Sequence, residues 1–189
     1  MSVISYALKR NPLIASLTDT NDLDKVLDSD CNIIILIQSD IGTLKEIVDR
    51  IRETDKLIFV HLDLTKGLKR DASGVKFLSE FVGVDGIITT HTNLIQVAKQ
   101  YNLLTIQRVF ILDTASIKQG IKSINSSKPD AVEILPGVVV PHIQNYLKSL
   151  SDQTIIAAGL IHSEDEIQHI LQNGAQGVSS SSLGLWNKE

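Results

Sequence analysis

The chain has 189 residues, 43% of them hydrophobic, with 18 Lys+Arg against 22 Asp+Glu and a formal net charge of −4. This length suits one domain over 1–189 that folds without staples, and the lone Cys31 excludes a disulfide framework or cysteine-based zinc cluster. The acidic balance excludes a globally basic nucleic-acid binder, though not a local basic patch.

In chain order, short β-branched runs alternate with longer amphipathic ones. MSVISYALKRNP carries no charged region followed by a long apolar run, so no signal peptide is expected. Leu13–Leu17 and 32–37 read as the first two strands. Thr43–Arg52 then sets Leu44, Ile47, Val48 and Ile51 on one helical face. Strands follow at 57–62 and 85–89, a helix at 93–101, a strand at 103–107 and a helix at 115–124 opened by Asp113. Two more strands, 130–135 and 154–158, lead to a helix over 163–172. Its Ser163 and Glu166 form a capping box, and Asn173-Gly174 stops it. A strand at 177–181 and a closing helix around Leu183–Trp186 end the series.

Eight strands alternating with helices must lie parallel, and eight units imply a compact (β/α)8 TIM-type barrel with short loops. The 189 residues leave about 24 per unit, just below the roughly 200-residue lower end of the fold. A doubly wound open sheet is the runner-up, but its glycine-rich fingerprint is missing. No apolar stretch reaches the roughly 18 residues of a membrane span, so the protein is expected to be soluble and cytoplasmic.

Function in such a barrel collects where strands end. Period-two alternation puts Phe59, His61 and Asp63 on one face of the third strand, with Val60 and Leu62 on the other. His61 and Asp63 would bind a ligand hydroxyl or move a proton, or else form a satisfied buried pair. Glu133 lies in a strand fit for burial and needs a partner there. Arg108, on the neighbouring strand, is either that partner or an anion ligand. Gly159 and the serine run 179–182 end strands seven and eight, whose loops commonly hold phosphate in this fold. The five histidines show no metal-ligand spacing, and convergence of His61, Asp63 and Glu133 on Mg²⁺ is the weaker reading. Lys66, Lys69 and Arg70 cluster after strand three, with Lys76 further on. Phe77 and Phe81 nearby read as core, which leaves no base-stacking platform.

Seven colinear segments, VHLDLTKGLKRD (60–71), GIITTHTNLIQVAK (86–99), IQRVFILDTASI (106–117), KPDAVEILPGVV (128–139), IIAAGLIHSEDEI (155–167), GAQGVSSSS (174–182) and LW (185–186), together resemble the glycerol uptake operon antiterminator regulatory protein (GlpP) family. The resemblance implies a (β/α)8 barrel that is not an enzyme. It implies a response to glycerol 3-phosphate and action on the leader mRNA of glycerol-utilisation operons, with no cofactor beyond that effector. On this reading the phosphate meets the amides of Gly159 and Leu160 with Ser180 and Ser181. The glycerol hydroxyls meet some of His61, Asp63, Thr89 and Glu133, with Arg108 close by. Lys66, Lys69 and Arg70 would face RNA. No oligomer is predicted. The alternative is a phosphosugar isomerase, epimerase or lyase using Asp63 and Glu133 as an acid/base pair. A third reading is a phosphate-binding barrel without RNA binding.

Overall fold

A computed structural model describes residues 2–187. Eight parallel strands close into a barrel: β1 (Leu13–Leu17), β2 (Ile33–Leu36), β3 (Leu57–His61), β4 (Gly86–Thr89), β5 (Leu104–Phe110), β6 (Ala131–Leu135), β7 (Thr154–Ala158) and β8 (Gly177–Ser180). Each strand pairs with the next in sequence, and β8 returns to β1 through Leu13↔Val178 to Ala15↔Ser180. Alternation sorts every strand into two faces. Ile14, Ile33, Ile35, Phe59, Ile88, Ile106, Ala131 and Ile156 fill the interior. Their neighbours, among them Ile34, Leu36, Val60, Ile87, Val132 and Ile155, face the helices.

The eight helices are uneven. α1 (Val3–Arg10) precedes the barrel, which sequence periodicity did not reveal. Ser2 caps it by accepting from Ser5 N, and Ile4, Ala7 and Leu8 plug the N-terminal mouth. α2 (Leu23–Leu27) and α3 (Leu44–Arg52) follow β1 and β2, and α4 (Ala72–Lys76) follows β3. α4 runs on as a π-helical segment, Phe77–Val82, closed by Gly83 at φ +80°. There Leu78 and Val82 take the core face, so Phe81 is 61% exposed and stacks on Phe77 at 5.1 Å. The expectation that Phe81 belongs to the core is thereby corrected.

α5 (Thr92–Gln100) and α6 (Thr114–Ser127) follow β4 and β5; Asp113 and Ser116 make a full capping box at the start of α6. After β6 come a 3-10 segment, Gly137–His142, and the short α7 (Gln144–Leu147). α8 (Glu164–Gln172) carries the expected Ser163–Glu166 box, and Gly174 beyond it sits at φ +115°. The expected closing helix is only a 3-10 turn, Leu183–Leu185. Gly184, in the middle of that turn, disfavours an α-helix there. Instead Trp186 folds into the core and its indole donates to Ser180 O at 2.7 Å. No helix of the described residues is long and apolar enough to cross a membrane.

Candidate ligand site at the C-terminal mouth

The inward positions turn polar as the strands approach the C-terminal mouth. Ser16 follows Ile14, His61 follows Phe59, Arg108 follows Ile106, Glu133 follows Ala131 and Ser179 follows Gly177. Parallel register sets Arg108 directly beside Glu133, and Arg108 Nε donates to Glu133 Oε2 at 2.6 Å. Glu133 is fully buried, and burial pushes its carboxyl above the usual carboxylate range against the pull of Arg108 and the Ser179 hydroxyl. Its second oxygen, Oε1, has no hydrogen-bond partner among the described residues. The guanidinium is thus anchored at Nε alone, which leaves both terminal NH2 groups available.

His61 lies close by, 2% exposed, with neither ring nitrogen hydrogen-bonded. Burial first, and then the positive charge of Arg108, push its pKa down to about 4, so the ring is neutral at ordinary pH. Asp63, in the turn after β3, is filled from β4: Thr89 Oγ1 donates at 2.5 Å, and Thr90 N and Thr90 Oγ1 donate at 2.8 Å each. Burial opposes ionisation of Asp63, but these donors outweigh it and hold the carboxyl below its usual range. Asp63 and Thr89 therefore satisfy one another and pin the β3 loop to β4.

Above this layer opens a cavity of about 350 Å³ lined by Ser16, Thr18, Ile37, Arg108, Leu135, residues 158–162 and the serines 179–182. Among the described residues no carboxylate side chain lines it, and one arginine does. The Ser16 and Ser179 hydroxyls meet at 2.5 Å on its wall. Next to Ser179, at the end of β7, Gly159 and Leu160 are both left-handed, at φ +80° and +58°. A leucine there costs on the order of 1 kcal/mol, and such strain collects at binding loops. Outside the strand ladders no hydrogen bond occupies the amide of Leu160 among the described residues, while the Ala158↔Ser179 pairing of β7 with β8 turns the Gly159 N–H toward Ser179 O. The N-terminus of α8 already carries negative charge: Ser163 accepts from Glu166 N, the Glu166 carboxylate accepts from His162 N and Ser163 N, and Glu164 and Asp165 share the first turn. Cationic, hydroxyl-rich and strained at one wall, the cavity is shaped for a small anion carrying polar substituents.

Arg108, Gly159, Leu160, Ser180 and Ser181 line this cavity; His61, Asp63, Thr89 and Glu133 do not. His61 and Glu133 lie in the barrel interior, and Asp63 with Thr89 stands at the β3–β4 rim. No group of three His, Cys, Asp or Glu suited to a metal occurs among the described residues, so the Mg²⁺ convergence is not formed. Glu133 is turned to Arg108 and Asp63 to its threonines. Ser16, Thr18, His162 and Ser182 also line the cavity without having been singled out. Parity with Ile14 points Ser16 inward; His162 is both exposed and on the cavity wall.

The basic loop stands on the same rim. Ser39–Asp40 and Thr65–Lys66 form a two-residue parallel bridge, and Ser39 Oγ lies 2.9 Å from Thr65 Oγ1. Thr65 Oγ1 in turn donates to His61 O at 3.0 Å. Lys66 lines a second hollow of about 380 Å³ with residues 18–20, 38–40 and 43, and Thr18 is shared by both cavities. Lys66, Lys69 and Arg70 are all exposed, and none has a side-chain hydrogen bond or ion pair among the described residues.

Comparison with known proteins places this geometry in a lineage. The sequence profile of glycerol-3-phosphate responsive antiterminators matches residues 13–186. A Listeria monocytogenes glycerol uptake operon antiterminator regulatory protein is 31% identical, with TM-score 0.88 over 93% of this chain and 95% of its own. A Thermotoga maritima glycerol uptake operon antiterminator-related protein is 32% identical, with TM-score 0.82 over 92% and 96%. The Escherichia coli K12 protein YgcP is 31% identical over 96% of this chain and 94% of its own length. A deoxyribose phosphate aldolase from Aeropyrum pernix, at 13% identity and TM-score 0.72 over 98% of this chain and 97% of its own, shares the fold alone. The chain belongs to the glycerol-3-phosphate responsive antiterminator family.

Proposed function

We propose that this protein binds glycerol 3-phosphate at the C-terminal mouth and, so loaded, binds the leader mRNA of glycerol-utilisation operons to prevent premature transcription termination. It acts as one cytoplasmic barrel domain, with glycerol 3-phosphate as effector and no cofactor. The observation that carries the ligand is the mouth cavity: Arg108, with two available NH2 groups, shares it with a run of serine hydroxyls and the free amide of Leu160. A phosphate there takes a paired guanidinium contact, the Leu160 N–H and the Ser180–Ser181 edge, which is the donor set a dianion needs. The glycerol end points toward His61 and Glu133, whose partnerless atoms are suited to hydroxyls once the layer opens.

The RNA contact is local. Lys66 and Lys69 stand unpaired on the rim, so phosphates of a single strand meet free cations even though the chain is acidic overall. Ligand raises RNA affinity only as far as it prefers the RNA-competent arrangement. Asp63 and Glu133 serve this reading as positioning groups; a phosphosugar-converting enzyme would need one of them on the cavity wall, and neither is there.

The test is calorimetry with glycerol 3-phosphate, followed by gel shift of a leader RNA with and without it. Saturable one-to-one binding without turnover, and a shift that strengthens with ligand, are expected. Conversion of the ligand, or an RNA shift indifferent to it, overturns the proposal.

A further inference from the structure

The second hollow on the rim adjoins the mouth cavity and differs from it in kind. Among the described residues the mouth is lined by one arginine and no carboxylate, whereas the hollow of about 380 Å³ brings Asp19 and Asp40 together with Lys66, Gln38 and the hydroxyls of Thr18, Thr20 and Thr43. Two carboxylates repel a phosphate, so the hollow does not suit the ligand of the mouth. Its acceptors and donors suit a neutral group with a polar edge. Among the described residues the side chains of Thr18, Thr20, Gln38 and Lys66 make no hydrogen bond. Those of Asp19 and Asp40 accept one each, from Asn21 N and Gly42 N, both at 2.9 Å.

The two-residue bridge holds the charged groups in place. Asp40 and Lys66 are register partners in it, one step beyond Ser39 and Thr65. Alternation turns Ser39 and Thr65 inward, where their hydroxyls lie 2.9 Å apart, and leaves Asp40 and Lys66 exposed on the other side. A carboxylate and an ammonium therefore rise on the same side from backbones about 4.8 Å apart. No ion pair joins them among the described residues. An acceptor-only group thus stands beside a donor-only one, and both are open to a third partner. The Watson–Crick edge of guanine has this order: O6 accepts, and N1–H and N2–H2 donate side by side. Cytosine and adenine offer a carboxylate one exocyclic donor group, and uracil a ring N–H between two acceptors. Asp40 keeps Oδ2 and a further lone pair on Oδ1, enough for both donors of guanine.

We infer that the hollow between the loops after β1, β2 and β3 seats one unpaired guanine of a single-stranded RNA, with the Asp40 carboxylate on N1–H and N2–H2 and the Lys66 ammonium on O6. This rests on the RNA reading above and deepens it: Lys66 meets a base edge and Lys69 is left to the phosphates, so the rim reads sequence as well as charge. Among the described residues no aromatic ring lines the hollow, and edge hydrogen bonds rather than stacking set the preference. Thr18 lines the hollow and the mouth alike, and Thr65 ties the bridge to β3 through His61 O at 3.0 Å. The base seat therefore shares a wall with the effector cavity, the short path that a ligand-dependent RNA affinity needs.

The test is fluorescence anisotropy at low salt with uridine hexamers that carry one central guanosine, inosine or cytidine, on the full chain saturated with glycerol 3-phosphate. The same proteins are run against a leader RNA by gel shift. Guanosine should bind about ten-fold tighter than cytidine. Inosine should fall between them, because it keeps O6 and N1–H and lacks the N2 donors. Asp40→Asn keeps an acceptor for Gly42 N, so its thermal midpoint should match wild type, but it sets an amide N–H against a base donor. It should bring the three hexamers level and weaken the leader RNA by about the same factor. Lys69→Ala should weaken all three hexamers alike and keep the preference. Hexamers that bind wild type equally, or a leader RNA held by Asp40→Asn as tightly as by wild type, overturn the inference and leave the proposed function standing. Wild type that prefers the guanosine hexamer but does not shift the leader RNA overturns the proposed function and keeps the base seat. No binding of either RNA overturns both.

Discussion

At its N-terminal mouth the barrel is filled by Ile4, Ala7 and Leu8 of α1 against the lowest interior ring, and at its C-terminal mouth the same strands deliver Ser16, His61, Arg108, Glu133 and Ser179. The side chains of that plug are all apolar, although Gln153 Oε1, just before β7, is also buried without a partner. The top leaves His61 Nδ1 and Nε2 and Glu133 Oε1 without partners. A core built only for stability would not retain three such atoms, since each costs roughly 1–3 kcal/mol when unmade. The contrast says where folding energy is stored and where it is given up for recognition.

Removing Arg108 should break the contrast hardest. Arg108→Ala leaves Glu133 fully buried without its cation, an expected loss of about 3–5 kcal/mol in chemical denaturation. The double variant Arg108→Leu with Glu133→Leu should regain most of that stability. Ligand binding should stay lost in both, which separates the pair's structural role from its use. At the opposite mouth Leu8→Ala, at a site 4% exposed, should cost about 3 kcal/mol through a cavity and a lost transfer term. Its affinity for glycerol 3-phosphate should match wild type. A matching loss of affinity would show the two mouths to be coupled rather than divided.

His61 gives an acid test of the upper layer. Its folded pKa of about 4 lies below the unfolded value near 6.5. As pH falls through that window the unfolded chain takes up a proton that the native ring refuses, so stability falls, by about 2–3 kcal/mol on reaching pH 4. Asp63, held low by its donors, adds loss at lower pH; Glu133, held high, works in the opposite direction. His61→Leu should flatten the slope between pH 6.5 and 4 in thermal scans. At pH 7 it should be neutral or stabilising by up to about 1 kcal/mol, because no hydrogen bond is lost.

The upper layer is partly legible in the amino-acid sequence. Parity along β3 places His61 inward with Phe59, and strand adjacency pairs Arg108 with Glu133, because neighbouring parallel strands put equivalent residues side by side. What parity does not carry is depth. Asp63 continues the His61 face on paper, but the chain turns into a 3-10 segment at Leu62–Leu64 and hands its carboxylate to β4. The α1 plug was hidden for a different reason: exposed Val3 and Tyr6 interrupt the Ile4, Ala7, Leu8 stripe. Gln107, beside Arg108, is a second polar residue in this apolar strand. It points outward instead, where its amide donates to Ser123 Oγ at 2.7 Å and accepts from the Ser127 hydroxyl.

The smallest expected effect lies in the Gly159–Leu160 turn, where the division between stability and recognition can be read in one exposed residue. Leu160 is 61% exposed, so its side chain contributes little burial, and its cost is in the backbone at φ +58°. A β-branched residue tolerates that conformation far less well than leucine, so Leu160→Val should lose about 1 kcal/mol despite its exposure. Leu160→Gly removes the strain but adds about as much freedom to the unfolded chain, and its net change should fall within about 0.5 kcal/mol. If the turn exists to aim the Leu160 amide at an anion, both substitutions should weaken glycerol 3-phosphate: valine by misplacing the amide, glycine by loosening it. Binding equal to wild type in both would mean that the strained turn serves the chain path from β7 to α8 and that Arg108 holds the phosphate without it.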